Sequence, residues 1–255
     1  MTHMLHEIRP HSIVYLFSGG KDSSLALLKT RDIVRDYASR FNARVYIVHI
    51  TVTGNTHPLN VYAAATVMYW HRKHYGFEPV FLARDKVFQE YMAKYGLQIG
   101  PQRWCYTEFK NKVIAGFERI LPRPVLEIDG MKRSDSKHRL EMLSSEWQYI
   151  ERRHSEFKYW AWHPLINYDG NPLDELRKHP EFEPIVRLYE KFGDSLNCVL
   201  CPYKNKSKLV RYRDAEDFGI ILQFMDEVMT SRTWRKKFSF LRNKPLEAVS
   251  HDPPL

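Results

Sequence analysis

Short apolar runs alternate with longer amphipathic stretches along the first half of the chain. IVYLF (13–17), RVYIVHI (44–50), EPVFL (78–82) and VLEID (125–129) are rich in branched and aromatic residues and predict four strands. Their near-continuous apolar character suits a parallel sheet buried on both faces. Between them the periodicity predicts helices near 22–40, 60–75, 85–95 and 107–119. On the first of these, Leu27, Val34 and Ala38 share one face at the helical period. Strand alternating with helix implies right-handed crossovers and a Rossmann-like, doubly wound α/β sheet. Past residue 140 the pattern changes. KYWAWHPLINYDGNPLDELRKHPEFEP carries several prolines and aromatics and predicts loops and short helices, and residues 204–244 read as basic helix. The expected division is an α/β domain over 1–203 and a basic helical C-terminal extension over 204–255 packed on it.

Composition narrows the classes. The chain has 255 residues, 44% hydrophobic and 27% charged, ordinary for a globular protein. Its longest apolar run falls well short of the ~18 residues that span a bilayer. The N-terminal MTHMLHEIRPHS lacks an apolar signal core, so a cytoplasmic protein with no membrane partner is expected. Lys and Arg number 39 against 30 Asp and Glu, a formal charge of +9, which favours polyanions such as nucleotides, nucleic acids or sulfate esters. Three cysteines, Cys105, Cys198 and Cys201, form a CxxC pair and a distant third. An odd number argues against a disulfide framework and for metal or redox chemistry.

The sequence FSGGKDSS (17–24) joins the first strand to the first helix. Glycines there let the backbone approach an anion, and free N–H groups at a helix N-terminus favour phosphate. Ser18 and Ser23 add hydroxyl donors, Lys21 adds charge, and Asp22 is placed to hold a magnesium ion bridging phosphates. The spacing is neither G-x-x-x-x-G-K-[ST] nor G-x-G-x-x-G; the alternative is a plain Gly-Gly turn capped by Asp22 or Ser23.

SGGKDS after a first strand resembles the pyrophosphate loop (PP-loop) of the N-type ATP pyrophosphatases. Further segments resemble the phosphoadenosine phosphosulfate (PAPS) reductase-like branch of that superfamily. They are TGNTHP (53–58), KYGLQIGPQRWCYTEFK (94–110), DGMKRSDSKHR (129–139), WHPLINYDGNPLDEL (162–176) and NCVLCPY (197–203), in family order over about three quarters of the chain. In the third of these Asp135 stands where glutamate is usual and Lys132 is an extra cation.

The resemblance implies an adenine nucleotide α-hydrolase-like fold. It also implies an enzyme that binds ATP and Mg2+, cuts between the α- and β-phosphates, and adenylylates an acceptor. Ser18, Gly19, Gly20, Lys21, Asp22 and Ser23 would hold the phosphates, with Thr53, Gly54, Lys110 and Gly130 close to the nucleotide. Lys21, Asp22, Arg133 and Arg139 would act on the reacting anion, arginine being suited to bidentate pairing with oxygens. Cys105, Cys198 and Cys201 suffice for a 4Fe–4S cluster with one open iron, placed ahead of a structural zinc for which His163 is a candidate fourth ligand. The reductases attack with a cysteine near the C-terminus, whereas this chain has none after Cys201. Sulfur transfer to tRNA or DNA, with a sulfur donor protein or sulfide, therefore leads. Its alternatives are a reductase or sulfurylase acting on an adenylyl sulfonucleotide (PAPS or APS), and a non-catalytic nucleotide- or nucleic-acid-binding accessory protein. The cations Arg232, Arg235, Lys236, Lys237, Arg242 and Lys244 surround Trp234, Phe238 and Phe240, a composition that tracks a phosphate backbone and stacks bases, or else an amphipathic helix with its aromatics in the core.

Overall fold

The four apolar runs become parallel strands, and the helical segments between them become the crossovers that parallel pairing requires. The structure, a computed structural model, describes residues 2–96, 104–151, 157–199 and 201. Its strands are β1 (Ser12–Leu16), β2 (Arg44–Thr51), β3 (Glu78–Ala83), β4 (Val125–Ile128), β5 (Trp147–Glu151) and β6 (Lys158–Trp162). They form one sheet in the order β3-β2-β1-β4-β6-β5, parallel throughout except for β5 against β6. The helices are α1 (Thr2–Ile8), α2 (Lys21–Phe41), α3 (Pro58–Tyr75), α4 (Phe88–Tyr95), α5 (Trp104–Tyr106), α6 (Lys112–Glu118), α7 (Lys137–Met142), α8 (Pro172–Leu176) and α9 (Glu183–Phe192). A π turn over Thr107–Asn111 joins α5 to α6. The fold is a Rossmann-like, doubly wound α/β sheet.

Because strand side chains alternate between faces, the two sides of the sheet bury different sets. Ile13, Tyr15, Ile47 and Ile128 pack with Leu27 and Val34 of α2, Val67 and Met68 of α3, and Ile185 and Leu188 of α9. Val14, Val48 and Ala161 face the other way, toward Ile114 of α6. An ion pair locks the first side: Arg31 Nη1 lies 2.5 Å from Glu181 Oε1, both buried, with the guanidinium over the rings of Trp70 and Tyr75.

Two strands form where loops and short helices were expected. Trp147 of β5 and Trp162 of β6 are register partners whose rings stack 4.5 Å apart, and Trp162 Nε1 donates to Glu146 Oε1 at 2.8 Å. Aromatic cross-strand pairs of this kind stabilise a pleated surface, and here they override the loop-like composition. β3 departs from the two-sided burial expected of it: it is an edge strand, and Phe81 is 39% exposed. The basic stretch 204–255 and its packing on the α/β domain lie outside the described residues.

Candidate nucleotide-binding site

In a doubly wound sheet the ligand crevice opens where strand order reverses, beyond the C-terminal ends of the strands. Here that point lies between β1 and β4: the chain leaves β1 toward β2 on one side and later returns to β4 on the other. The loop after β1 is Ser18–Gly20, and the loop after β4 begins at Asp129 and Gly130.

The first loop is folded by its own residues. Gly19 has φ +68°, the left-handed region, and a Cβ there would lie 2.7 Å from Asn60 Nδ2. Ser18 N donates to Ser23 Oγ at 3.2 Å, the Ser18 and Ser23 hydroxyls are 3.0 Å apart, and Ser23 Oγ donates to Gly20 O at 3.0 Å. Asn197 and Asn60 both donate to Ser18 O, at 3.0 and 3.3 Å. Lys21 N donates to the Tyr189 hydroxyl at 3.1 Å. Gly20, at the N-cap of α2, offers no side-chain acceptor to the first turn. The helix therefore meets the crevice with its positive end. Below the loop, His49 is fully buried with Nδ1 3.0 Å from Phe17 O. Burial lowers its pKa to about 4, so the ring is neutral and Nδ1 donates to that carbonyl.

The second loop touches the first backbone to backbone. A Cβ on Gly130 would lie 2.5 Å from the carbonyl carbon and oxygen of Asp22 and 2.7 Å from Ser23 N. Through this contact runs a chain of alternating charges. Lys21 Nζ lies 2.6 Å from Asp22 Oδ2, and Lys132 Nζ lies 2.8 Å from Asp22 Oδ1 and 3.7 Å from Asp135 Oδ1. Arg139 Nη1 pairs with Asp135 Oδ2. Burial pushes the Asp22 carboxyl up, but the Lys132 and Lys21 ammonium groups outweigh it and hold it below the usual carboxylate range.

This chain redistributes the roles expected of the second loop. Arg133 spends its guanidinium elsewhere: Nε donates to Leu143 O at 2.8 Å, Nη2 to Ser144 O at 2.6 Å and Nη1 to Asn167 Oδ1 at 3.2 Å. It ties the short helical turn 133–135 to the segment after α7. The cation facing the first loop is Lys132, buried at 8% exposure and paired with Asp22. Arg139 joins the chain through Asp135. Thr53 and Gly54 are exposed; the side chain of Gln89 occupies the space above Gly54, and its Nε2 donates to Gly54 O at 2.7 Å. Gln89 of α4 thus covers the approach expected of a nucleotide there.

Beside Ser18 a cavity of about 220 Å³ opens on the α6 side of the sheet. Its walls are largely apolar, including Leu16, Val48, Ile50, Ile114 and Ala161, and its polar lining includes Glu127, Asp129, Lys110 and Asn197. Asp129 Oδ1 accepts from Met131 N and pairs with His163 Nδ1, each at 2.9 Å. Glu127 was missed by sequence reasoning; the signal was one acidic residue inside an apolar strand.

The three cysteines come together at Lys110. Lys110 Nζ donates to Asn197 Oδ1 at 3.2 Å. Attraction to the Cys198 sulfur raises the Lys110 pKa; burial opposes this, and a hydrogen bond to Cys198 and the Cys105 and Cys201 sulfurs add to it. Segments far apart in sequence thus meet around one ammonium. Among the described residues no three His, Cys, Asp or Glu are arranged to hold a metal ion. His163, the candidate fourth zinc ligand, is bonded to Asp129. Asp22, with a lysine on each oxygen, is no preformed magnesium site either; an ion there would come with the nucleotide's phosphates.

No helix among the described residues is long and apolar enough to cross a membrane. No protein-family profile matches the chain. An uncharacterized protein of Methanocaldococcus jannaschii is 26% identical over 200 residues, 78% of this chain and 43% of that protein, so the chain spans less than half the length of that relative. Among solved structures, a phosphoadenylyl-sulfate (PAPS) reductase from Candida auris, in a phosphate complex, matches with a TM-score of 0.38 and 13% identity over 65% of this chain and 71% of that one. The functional reading accordingly rests on the loop, the charge chain and the cavity.

Proposed function

We propose that the chain is a PP-loop enzyme that binds Mg·ATP as substrate and transfers its adenylyl group to an acceptor. In that reaction an acceptor oxygen attacks the α-phosphorus, the bond from Pα to the bridging oxygen breaks, and pyrophosphate leaves with the electron pair. The observation that carries this reading is the convergence of the N-terminus of α2 and the Lys21–Asp22–Lys132–Asp135–Arg139 chain on the strand-order switch. A polyphosphate entering there would meet the positive end of the α2 dipole first. It would then draw Lys21 and Lys132 from Asp22, leaving the carboxylate to the magnesium ion that the nucleotide brings. Charge developing on the departing pyrophosphate is stabilised by cations already in place. The base and ribose would lie toward the cavity beside Ser18.

Sulfur transfer to tRNA or DNA is the purpose we infer for the adenylate. The basic stretch around Arg235, Lys236 and Lys237 supplies the composition for a polyanionic acceptor.

The test is product analysis. Incubation with ATP, magnesium, sulfide and either tRNA or duplex DNA should release AMP and pyrophosphate in step with acceptor modification. Lys21→Ala and Lys132→Met should each weaken nucleotide binding, because a phosphate loses a charge-assisted partner. Release of ADP and phosphate would overturn the assignment, and ATP binding without any turnover across acceptors would favour the accessory-protein reading. If nucleic acid is the acceptor, alanine at Arg235, Lys236 and Lys237 should flatten the log–log salt dependence of its binding by roughly two to three units.

A further inference from the structure

Asn197 stands at a junction. Its side chain, 6% exposed, comes from the segment after α9 and meets the phosphate loop across 179 residues of sequence, Nδ2 donating to Ser18 O at 3.0 Å. Its Oδ1 accepts from Lys110 Nζ at 3.2 Å. The two ends of this amide are not interchangeable. An ammonium group only donates and a carbonyl oxygen only accepts, so Lys110 claims the oxygen and the N–H end is turned to Ser18. Asn60, fully buried, adds a second donor to the same carbonyl at 3.3 Å and also donates to Ser195 O at 2.7 Å.

The backbone that carries Asn197 is tied down as well. Thr56 Oγ1 donates to Asn197 O at 2.8 Å, His57 N to Leu196 O at 3.1 Å and Val199 N to Asn55 O at 2.9 Å. Leu196, completely buried, has φ +61°, a left-handed conformation uncommon for a residue with a side chain. Such a conformation costs free energy and persists where its surroundings impose it, as they do at functional sites. Here it directly precedes the side chain that reaches the loop. Holding Ser18 O also holds more than one atom. The Ser18–Gly19 peptide is planar, so fixing its carbonyl fixes the direction of the Gly19 N–H. Gly19, at φ +68°, then leads the chain to the N-cap of α2.

We propose that Asn197 is a positioning residue of the phosphate loop: oriented by Lys110, its amide pins Ser18 O and so sets the peptide plane against which the β- and γ-phosphates of the nucleotide bind. The assignment rests on the nucleotide reading above and adds to it a residue that acts through the loop. Its effect belongs to the phosphates beyond the α-phosphate, because the loop it holds is the one that receives them.

The experiment titrates the full chain, in the presence of magnesium, with ATP and with AMP, which lacks the β- and γ-phosphates. Asn197→Ala removes the donor to Ser18 O. Asn197→Asp replaces that donor with an oxygen in a side chain of the same shape and keeps an acceptor for Lys110, so it serves where the alanine variant does not fold. Each variant should bind ATP at least about fivefold more weakly and AMP within about twofold of wild type. Amide hydrogen exchange over residues 17–20 should quicken in the same variants without nucleotide. A purely structural role would lower the melting temperature or weaken both ligands alike. An ATP-to-AMP affinity ratio unchanged in a folded variant, or an equal loss for both ligands, overturns the role of Asn197 while leaving the nucleotide reading in place. Failure of wild type to bind ATP overturns both.

Discussion

The closest backbone approach at the site is the one between Gly130 and the first turn of α2, and Gly130→Ala perturbs it with one methyl group. The added carbon would lie 2.5 Å from the Asp22 carbonyl, where ordinary contact begins at 3.4 Å, so one loop must retreat by about 0.9 Å. The obstacle is backbone on both sides, and no flexible side-chain end can yield. Overpacking of this size costs about 2–3 kcal/mol, which for a chain of this length lowers Tm by roughly 4–12 °C. The retreat also moves the phosphate-facing N–H groups, and displacements near 1 Å reduce productive binding by roughly 10–100-fold. Gly116→Ala in α6 is the control. That residue is exposed, has nothing within 4 Å of the new carbon, and should gain about 0.5–1 kcal/mol from helix propensity. Thermal melts and ATP titrations of the two variants decide the matter. A Gly130→Ala protein that melts and binds ATP like wild type would refute the claim that the two loops are in contact, as would a Gly116→Ala protein that loses as much.

Burial lowers the pKa of both His49 and His71 to about 4, so each is neutral when folded and takes up a proton on unfolding below its ordinary value of 6.5. The unfolded state then binds more protons, and stability should fall with pH from about 6.5 toward 4 by about 1.4 kcal/mol per unit per histidine; denaturant melts at pH 6.5 and 5 should show His71→Gln with a shallower fall, and an unchanged slope would refute this. Glu181→Gln leaves the Arg31 guanidinium buried without its counter-charge and should destabilise by about 3–5 kcal/mol, read from urea midpoints; a loss under 1 kcal/mol would show that the pair contributes only packing. The thiols gathered at Lys110 predict an anaerobic preparation without stoichiometric iron or zinc, whereas a brown protein with about four irons per chain would show that the sulfurs close around a cluster.

β1 to β4 and their crossovers are legible in the sequence because their runs are predominantly branched and aromatic. β5 and β6 are hidden because WQYIE sits among charges and KYWAW runs into a proline-rich stretch. Their pairing depends on a Trp147–Trp162 contact that no local pattern announces. In the site, the phosphate loop is legible because its glycines, serines and lysine act within one turn. Lys132 and Arg133 are adjacent cations, and only the turn 133–135 decides that one faces Asp22 and the other the carbonyls of Leu143 and Ser144. Thr53 and Gly54 read as ligand-facing because the cover provided by Gln89 comes from another helix.

The π turn over Thr107–Asn111 also fixes helical phase. Cys105 and Lys110 are five residues apart, which in an ideal α-helix places them about 140° out of alignment. A turn closed by i→i+5 hydrogen bonds is wider and brings residues five apart toward the same side, which is how one continuous helical run presents both Cys105 and Lys110 to the CxxC segment. The extra residue held in that turn therefore acts as a phase shifter. Deleting Glu108 would restore ordinary winding, swing α6 by about 100° relative to α5, and separate the lysine from its sulfurs while leaving Lys110 and the three cysteines in the chain.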